Sequence, residues 1–145
     1  LRPYAVLLLA ALLALSPEAS ASASANCLPY GGQVHLKGTL FFREYPGPPD
    51  YDEKSPPVTL WFVTLEQPIC IDADPAAPSV NAAVQALKEI QVIPAYPPGA
   101  GAFRSLRGKE VQVSGVLHGP VGRDQKTAAV LVDTRVDEPA KHSGS

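Results

Sequence analysis

Polar and apolar residues alternate along two well-separated stretches of the chain, Val34-His35-Leu36-Lys37-Gly38-Thr39-Leu40 and Val111-Gln112-Val113-Ser114-Gly115-Val116-Leu117. A two-residue period sends successive side chains to opposite faces, so each stretch reads as a strand with one apolar face. A glycine stands at the same offset in both, Gly38 and Gly115. Inside a strand, glycine marks a bulge or a sharply coiled segment. Two coiled strands far apart in sequence predict a short sheet that closes on itself.

The same reading extends along the chain. The first strand covers Gln33 to Phe42, with Val34, Leu36, Leu40 and Phe42 on one face. The second, Val58 to Leu65, is apolar on both faces around Trp61, Phe62 and Val63, the composition of a strand covered on each side. Gln67-Pro68 interrupts it, and Ile69 to Ile71 resumes as a short third strand or a continuation past a bulge. From Ser79, an N-cap candidate after Pro78, the spacing of Val80, Ala83, Val84 and Leu87 predicts a helix. The period returns to two over Glu89 to Ile93, with Ile90 and Val92 on one face and Gln91 and Ile93 on the other. Phe103 to Leu106 reads as a single turn, and Lys109 to Leu117 and Thr127 to Val136 as the last two strands.

Pro/Gly-rich and polar connections separate these elements. Arg43 to Pro57 contains Pro46, Pro48, Pro49, Pro56 and Pro57 and predicts a long loop, because proline breaks both helix and ladder. Pro94 to Gly101 and Gly119 to Lys126 are the other two. The order of elements predicts a mainly β fold, a small OB-like Greek-key barrel of five to six strands with one short helix.

The N-terminal composition changes the picture of the compartment. Arg2, the apolar run Tyr4 to Leu15 and the Ala/Ser alternation from Ala19 to Ala25 read as a secretory signal over residues 1–25, with the barrel domain over 26–136 and a polar tail over 137–145. The apolar run is too short for a membrane span, and Asn26 before Cys27 disfavours lipidation. The expected location is therefore periplasmic or secreted, with no membrane span after signal cleavage. In an oxidising compartment the two cysteines, Cys27 and Cys70, are expected to pair; two buried thiols or a metal site are the poorer readings. The formal net charge of -2 attracts no polyanion, so no nucleic acid is expected as partner.

Several blocks also carry a family resemblance: Cys27-x-Pro29-Tyr30, Val34-x-Leu36-x-Gly38-x-Leu40, the Pro46-Gly47-Pro48-Pro49 loop, Pro68-Ile69-Cys70-Ile71-Asp72, and the block Leu106 to His118. With these the chain resembles the domain of unknown function 4431 family of exported bacterial proteins. The resemblance implies export and no established activity, and it carries no functional residue onto this chain.

Candidate chemistry is sparse. Ser114 lacks the glycines of a nucleophile elbow, and the acidic pairs lie in Pro-rich loops, so catalysis is not expected. Asp50, Asp52 and Glu53, and separately Asp72 and Asp74, lack the twelve-residue calcium-loop pattern. No cofactor and no metal are expected. Arg104, Arg107 and Lys109 read as a solvated turn, and Trp61 as core or barrel-end packing with a stacking platform as the alternative. The expectation that follows is an envelope binding module recognising a protein or glycan through its first-to-second-strand loop and its last-hairpin loop. Tyr45 and Tyr51 would be the anchors, with Asp50, Asp52, Trp61, His118, Arg123 and Asp124 as further binding candidates. The alternative is a metal-binding or hydrolytic role for the loop carboxylates and His118.

Overall fold

The computed structural model describes residues 26–95 and 100–139. The signal reading, the centre of the Pro94–Gly101 connection and the end of the polar tail lie outside the described residues. Among the described residues, five strands and one short helix follow in the order β1 (Gln33–Pro46), β2 (Pro57–Ile71), β3 (Val84–Pro94), α1 (Ala100–Ser105), β4 (Glu110–His118) and β5 (Val130–Asp137). The strands form one sheet in the order β1-β2-β3-β5-β4, which closes because β1 also pairs with β4. Every pairing is antiparallel except β3 with β5, which is parallel.

Closure depends on β1 serving two neighbours. Gln33–Thr39 pairs with Val116–Glu110 of β4, and Gly38–Pro46 pairs with Leu65–Pro57 of β2. Gly38 sits in the overlap, opposite both Leu65 and Val111. A Cβ at Gly38 would collide with the Thr64 carbonyl oxygen and lie 2.6 Å from Val63 Cγ1, so only glycine lets β2 approach this closely where β1 coils from one partner to the other. Gly115 faces the second irregularity. Ser114 pairs with Arg135 but Val116 pairs with Val132, so β5 carries an extra residue here, with Asp133 at φ 50°. A Cβ at Gly115 would lie 2.6 Å from Val132 O and 2.9 Å from Leu131 Cγ.

The inward faces converge on one core, including Val34, Leu36, Leu40, Val63, Ile90, Val92, Val111, Val113, Leu117 and Leu131, with Phe103 of α1 and Trp61 of β2 packed ring edge to face, centroids 5.6 Å apart. Each such side chain contributes roughly 1.5–3 kcal/mol of burial. The Cys27–Cys70 disulfide ties the N-terminal segment to this sheet. Beside it, Leu28 N donates to Cys70 O (2.8 Å) and Asp72 N to Leu28 O (3.0 Å).

The structure corrects several element boundaries. Val58–Leu65 and Ile69–Ile71 are one strand, β2, irregular between Thr64 and Ile69. No helix forms over Ser79–Leu87: residues 75–81 are turns, and Val84 and Leu87 belong to β3. The helical spacing arose from a bulge. Ile71 pairs with Val84 and Ile69 with Leu87, so β3 spends three residues where β2 spends two, and a two-residue period is stretched locally into three. The helix lies instead at Ala100–Ser105, overlapping the single turn read at Phe103–Leu106. The long loop is also shorter than expected, because Arg43–Pro46 extends β1 and the true connection is residues 47–56.

Candidate functional site

The outer face of the β1–β2 hairpin carries Phe41, Arg43 and Tyr45 on β1 opposite Phe62, Leu60 and Val58 on β2. Successive side chains on a strand alternate in direction, so these positions point away from the core that holds Trp61 and Val63. Phe62 is nevertheless fully buried. Phe41 stacks on it (centroids 5.5 Å, planes 19° apart), the Tyr45 ring lies 6.3 Å away, and the Arg43 guanidinium covers both phenyl rings at 4.8 and 5.1 Å. Arg43 is held there by a two-pronged ion pair with Glu89 of β3, Nη1–Oε1 2.6 Å and Nη2–Oε2 3.2 Å. The Glu89 hydrogen bond also raises the guanidinium pKa above its ordinary value.

The connection between β4 and β5 closes over the same face. Its anchor is Gln91, nearly fully buried although its neighbours Ile90 and Val92 point into the core. Gln91 Nε2 donates to Asp124 O (2.7 Å), Gln91 Oε1 accepts from Lys126 N (2.7 Å), and Gln91 N donates to Thr127 Oγ1 (3.0 Å). With the loop fixed, Lys126 Nζ lies 5.0 Å from the Tyr45 ring centroid and the Arg123 guanidinium 5.0 Å from that of Tyr51. Lys126 Nζ also donates to Arg123 O (2.6 Å).

The loop joining β1 to β2 is internally braced. Gly47 N donates to Pro56 O and Tyr51 N to Gly47 O, and Tyr51 takes φ 55°. Asp52 Oδ1 accepts from Lys54 N (2.9 Å) and Ser55 N (3.1 Å), so this carboxylate serves as a turn cap. Asp50 is exposed on the same loop.

Of the residues expected from sequence, Tyr45, Tyr51 and Arg123 come together, with the Asp124 backbone in the supporting network. Asp124 Oδ1 is buried without a hydrogen-bond partner among the described residues. His118 is half-buried at the end of β4, its Nδ1 donating to Gly119 O (2.7 Å). Gly119 N in turn donates to Asn81 Oδ1 (2.9 Å), so this corner is tied to the connection between β2 and β3. Trp61 points inward, packed against Phe42 and Phe103, and does not share a face with the tyrosines. Among the described residues no three His, Cys, Asp or Glu side chains gather where a metal ion could be held, and no helix is long and apolar enough to cross a membrane.

Sequence reading missed Arg43, Glu89, Gln91 and Lys126 as partners in this site. Gln91 lies on the face opposite Ile90 and Val92, as its alternation with them predicts, but that face is covered. The signal was present in Phe62: a strand apolar on both faces requires a cover on each, and the β4–β5 connection is one of them. No family model, no curated protein and no solved structure matches the chain.

Proposed function

We propose that this chain is an exported cell-envelope binding module of OB-like Greek-key architecture that recognises a protein or glycan through its β1–β2 and β4–β5 loops and performs no catalysis. One observation carries the reading: the two loops meet over the outer face of β1 and β2, with Arg123 on Tyr51 and Lys126 on Tyr45. Loops in this relation to a closed five-stranded sheet form the recognition edge of OB-type barrels. The parallel β3–β5 pairing and the two-partner β1 support the architecture, and the disulfide supports export. Family membership on the blocks quoted above, and the domain limits 26–136, are part of the same proposal.

Tyr51 and Arg123 offer an aromatic face and a cation at the loop tips, the residue types that anchor interfaces. Tyr45 is half-buried against Phe62 and serves the scaffold as well. The test compares wild-type protein with the Tyr51→Ala/Arg123→Ala variant as bait in envelope extract and on a glycan array. A partner or glycan retained by wild type and lost by a variant that is still folded, with a single cooperative melting transition, supports the reading. Equal retention by both removes the loops from recognition.

A further inference from the structure

Residues that alternate with the tyrosine face build a second site on the opposite side of the β1–β2 hairpin. Phe42 and Glu44 of β1, Thr59 and Trp61 of β2, and Arg104 and Arg107 at and just beyond the end of α1 line an open cleft of about 370 Å³. That volume falls in the range of small-molecule pockets. Its floor is aromatic: Phe42 and Trp61 meet edge to face at 5.5 Å, and Trp61 is supported from beneath by Phe103 of α1.

The cations are placed by backbone. Gly108 N donates to Leu40 O (2.7 Å) and Leu40 N to Lys109 O (3.1 Å), stitching the α1–β4 connection to β1 two residues before Phe42. Gly108 takes φ 77°, which turns the chain out of the helical segment. Arg107 consequently lies over the Phe42 ring at 4.4 Å. Among the described residues neither Arg104 nor Arg107 has a carboxylate within 4 Å, although Glu44 lines the same cleft. Two guanidinium groups with no acidic partner among the described residues, lining one cleft with Phe42 and Trp61, are the residue types that suit a planar or tetrahedral anion.

We infer that this cleft binds a small molecule with a carboxylate or phosphate on a flat apolar body, the anion held by Arg104 and Arg107 and the body lying on Phe42 and Trp61. Glu44 selects among such anions: it repels a ligand that is purely anionic and favours one that also presents an ammonium or N–H group. The site shares no lining residue with the loop surface, so it stands or falls separately from the function proposed above.

Trp61 is the only tryptophan in the chain, so its fluorescence reports occupancy directly. The full mature protein is titrated with 3-phenylpropionate, phenyl phosphate, L-phenylalanine and neutral 3-phenylpropionamide, and each titration is repeated by calorimetry. Saturable binding of the anionic probes and not of the amide is expected, the carboxylate and phosphate arms showing which anion is preferred. Arg104→Gln/Arg107→Gln should weaken the anionic probes by about tenfold or more, the loss expected when charge-assisted hydrogen bonds are removed. Glu44→Gln should tighten 3-phenylpropionate and not L-phenylalanine. Both arginines are exposed, and an unchanged melting temperature confirms that the variant is folded. No saturation by either readout up to about 10 mM, well above the 1 mM at which a site worth about 4 kcal/mol half-fills, overturns the inference. So does equal binding of acid and amide, or indifference to the arginine substitutions.

Discussion

The Arg123 guanidinium lies 5.0 Å from the centroid of the Tyr51 ring, joining two loops whose sequences are separated by most of the domain. Both side chains are reachable by solvent, where a cation–π contact is worth about 0.5–1 kcal/mol. A double-mutant cycle of Arg123→Ala and Tyr51→Ala, read from urea midpoints, should give a coupling of that size. Additive single effects would mean that the loops are neighbours without being linked.

Gln91 should matter more than any exposed residue of the site. Its amide satisfies the Asp124 carbonyl and the Lys126 amide, and Gln91→Leu keeps the volume while removing both partners. Stability should fall by about 1–3 kcal/mol, the cost of leaving buried polar groups unmatched. Hydrogen exchange at the Lys126 amide should accelerate relative to amides in β1 and β4. An unchanged rate there would show that the loop is held by its side-chain contacts alone.

The N-terminal segment gives a redox prediction. Cys27 and Cys70 are separated by 43 positions, and joining them restricts the unfolded chain. Reduction, or Cys27→Ser/Cys70→Ser, should lower stability by about 2–4 kcal/mol. Exchange at the Leu28 and Asp72 amides, which donate to Cys70 O and Leu28 O beside the bridge, should rise first. Equal urea midpoints with and without reductant would show that those backbone bonds hold the segment unaided.

Tyr30 gives a pH prediction. Its hydroxyl donates to Ala82 O at 2.6 Å, and partial burial raises its pKa above the ordinary phenol value. A raised folded-state pKa means that the contribution is complete below the unfolded pKa of about 10 and disappears as pH rises through the folded value. Wild-type stability minus that of Tyr30→Phe should therefore be constant to about pH 10 and decline above it. A difference that stays flat through alkaline pH would mean that the Tyr30 hydroxyl is not buried in solution.

Strands with a clean two-residue period were legible from the sequence. Val34–Leu40 and Val111–Leu117 lie in β1 and β4, and their glycines sit where β1 changes partner and where β4 faces the β5 bulge. The β3 entry was not legible, because the extra residue between Val84 and Leu87 imitates helical spacing and only the partner strand reveals it. The tyrosine cluster was partly legible. Proline and aromatic content marked Arg43 to Pro57, but nothing local announces that Gln91 would reach across to residues 124 and 126. The arginine cleft was hidden for a related reason. Arg104 and Arg107 read as solvated until backbone bonds from Gly108 and Lys109 to Leu40 bring them beside Phe42.

Two glycines of opposite character allow a controlled test of sheet closure. At Gly38 an added Cβ meets the Thr64 backbone, which cannot move without parting β1 from β2 at the point where the ring turns. Gly101 lies in α1 with no packing neighbour among the described residues within 4 Å of its Cβ position. The same substitution, glycine to alanine, should therefore have opposite signs. Gly38→Ala should destabilise by about 1–3 kcal/mol through overpacking, and Gly115→Ala should follow it, since Val132 O and Leu131 Cγ crowd that position. Gly101→Ala should be neutral or stabilise by up to about 1 kcal/mol through helix propensity and a less flexible unfolded chain. Urea midpoints of the three variants decide it. If Gly38→Ala and Gly101→Ala shift together, the effect belongs to the unfolded chain, and the close approach of β1 and β2 at Gly38 does not govern closure.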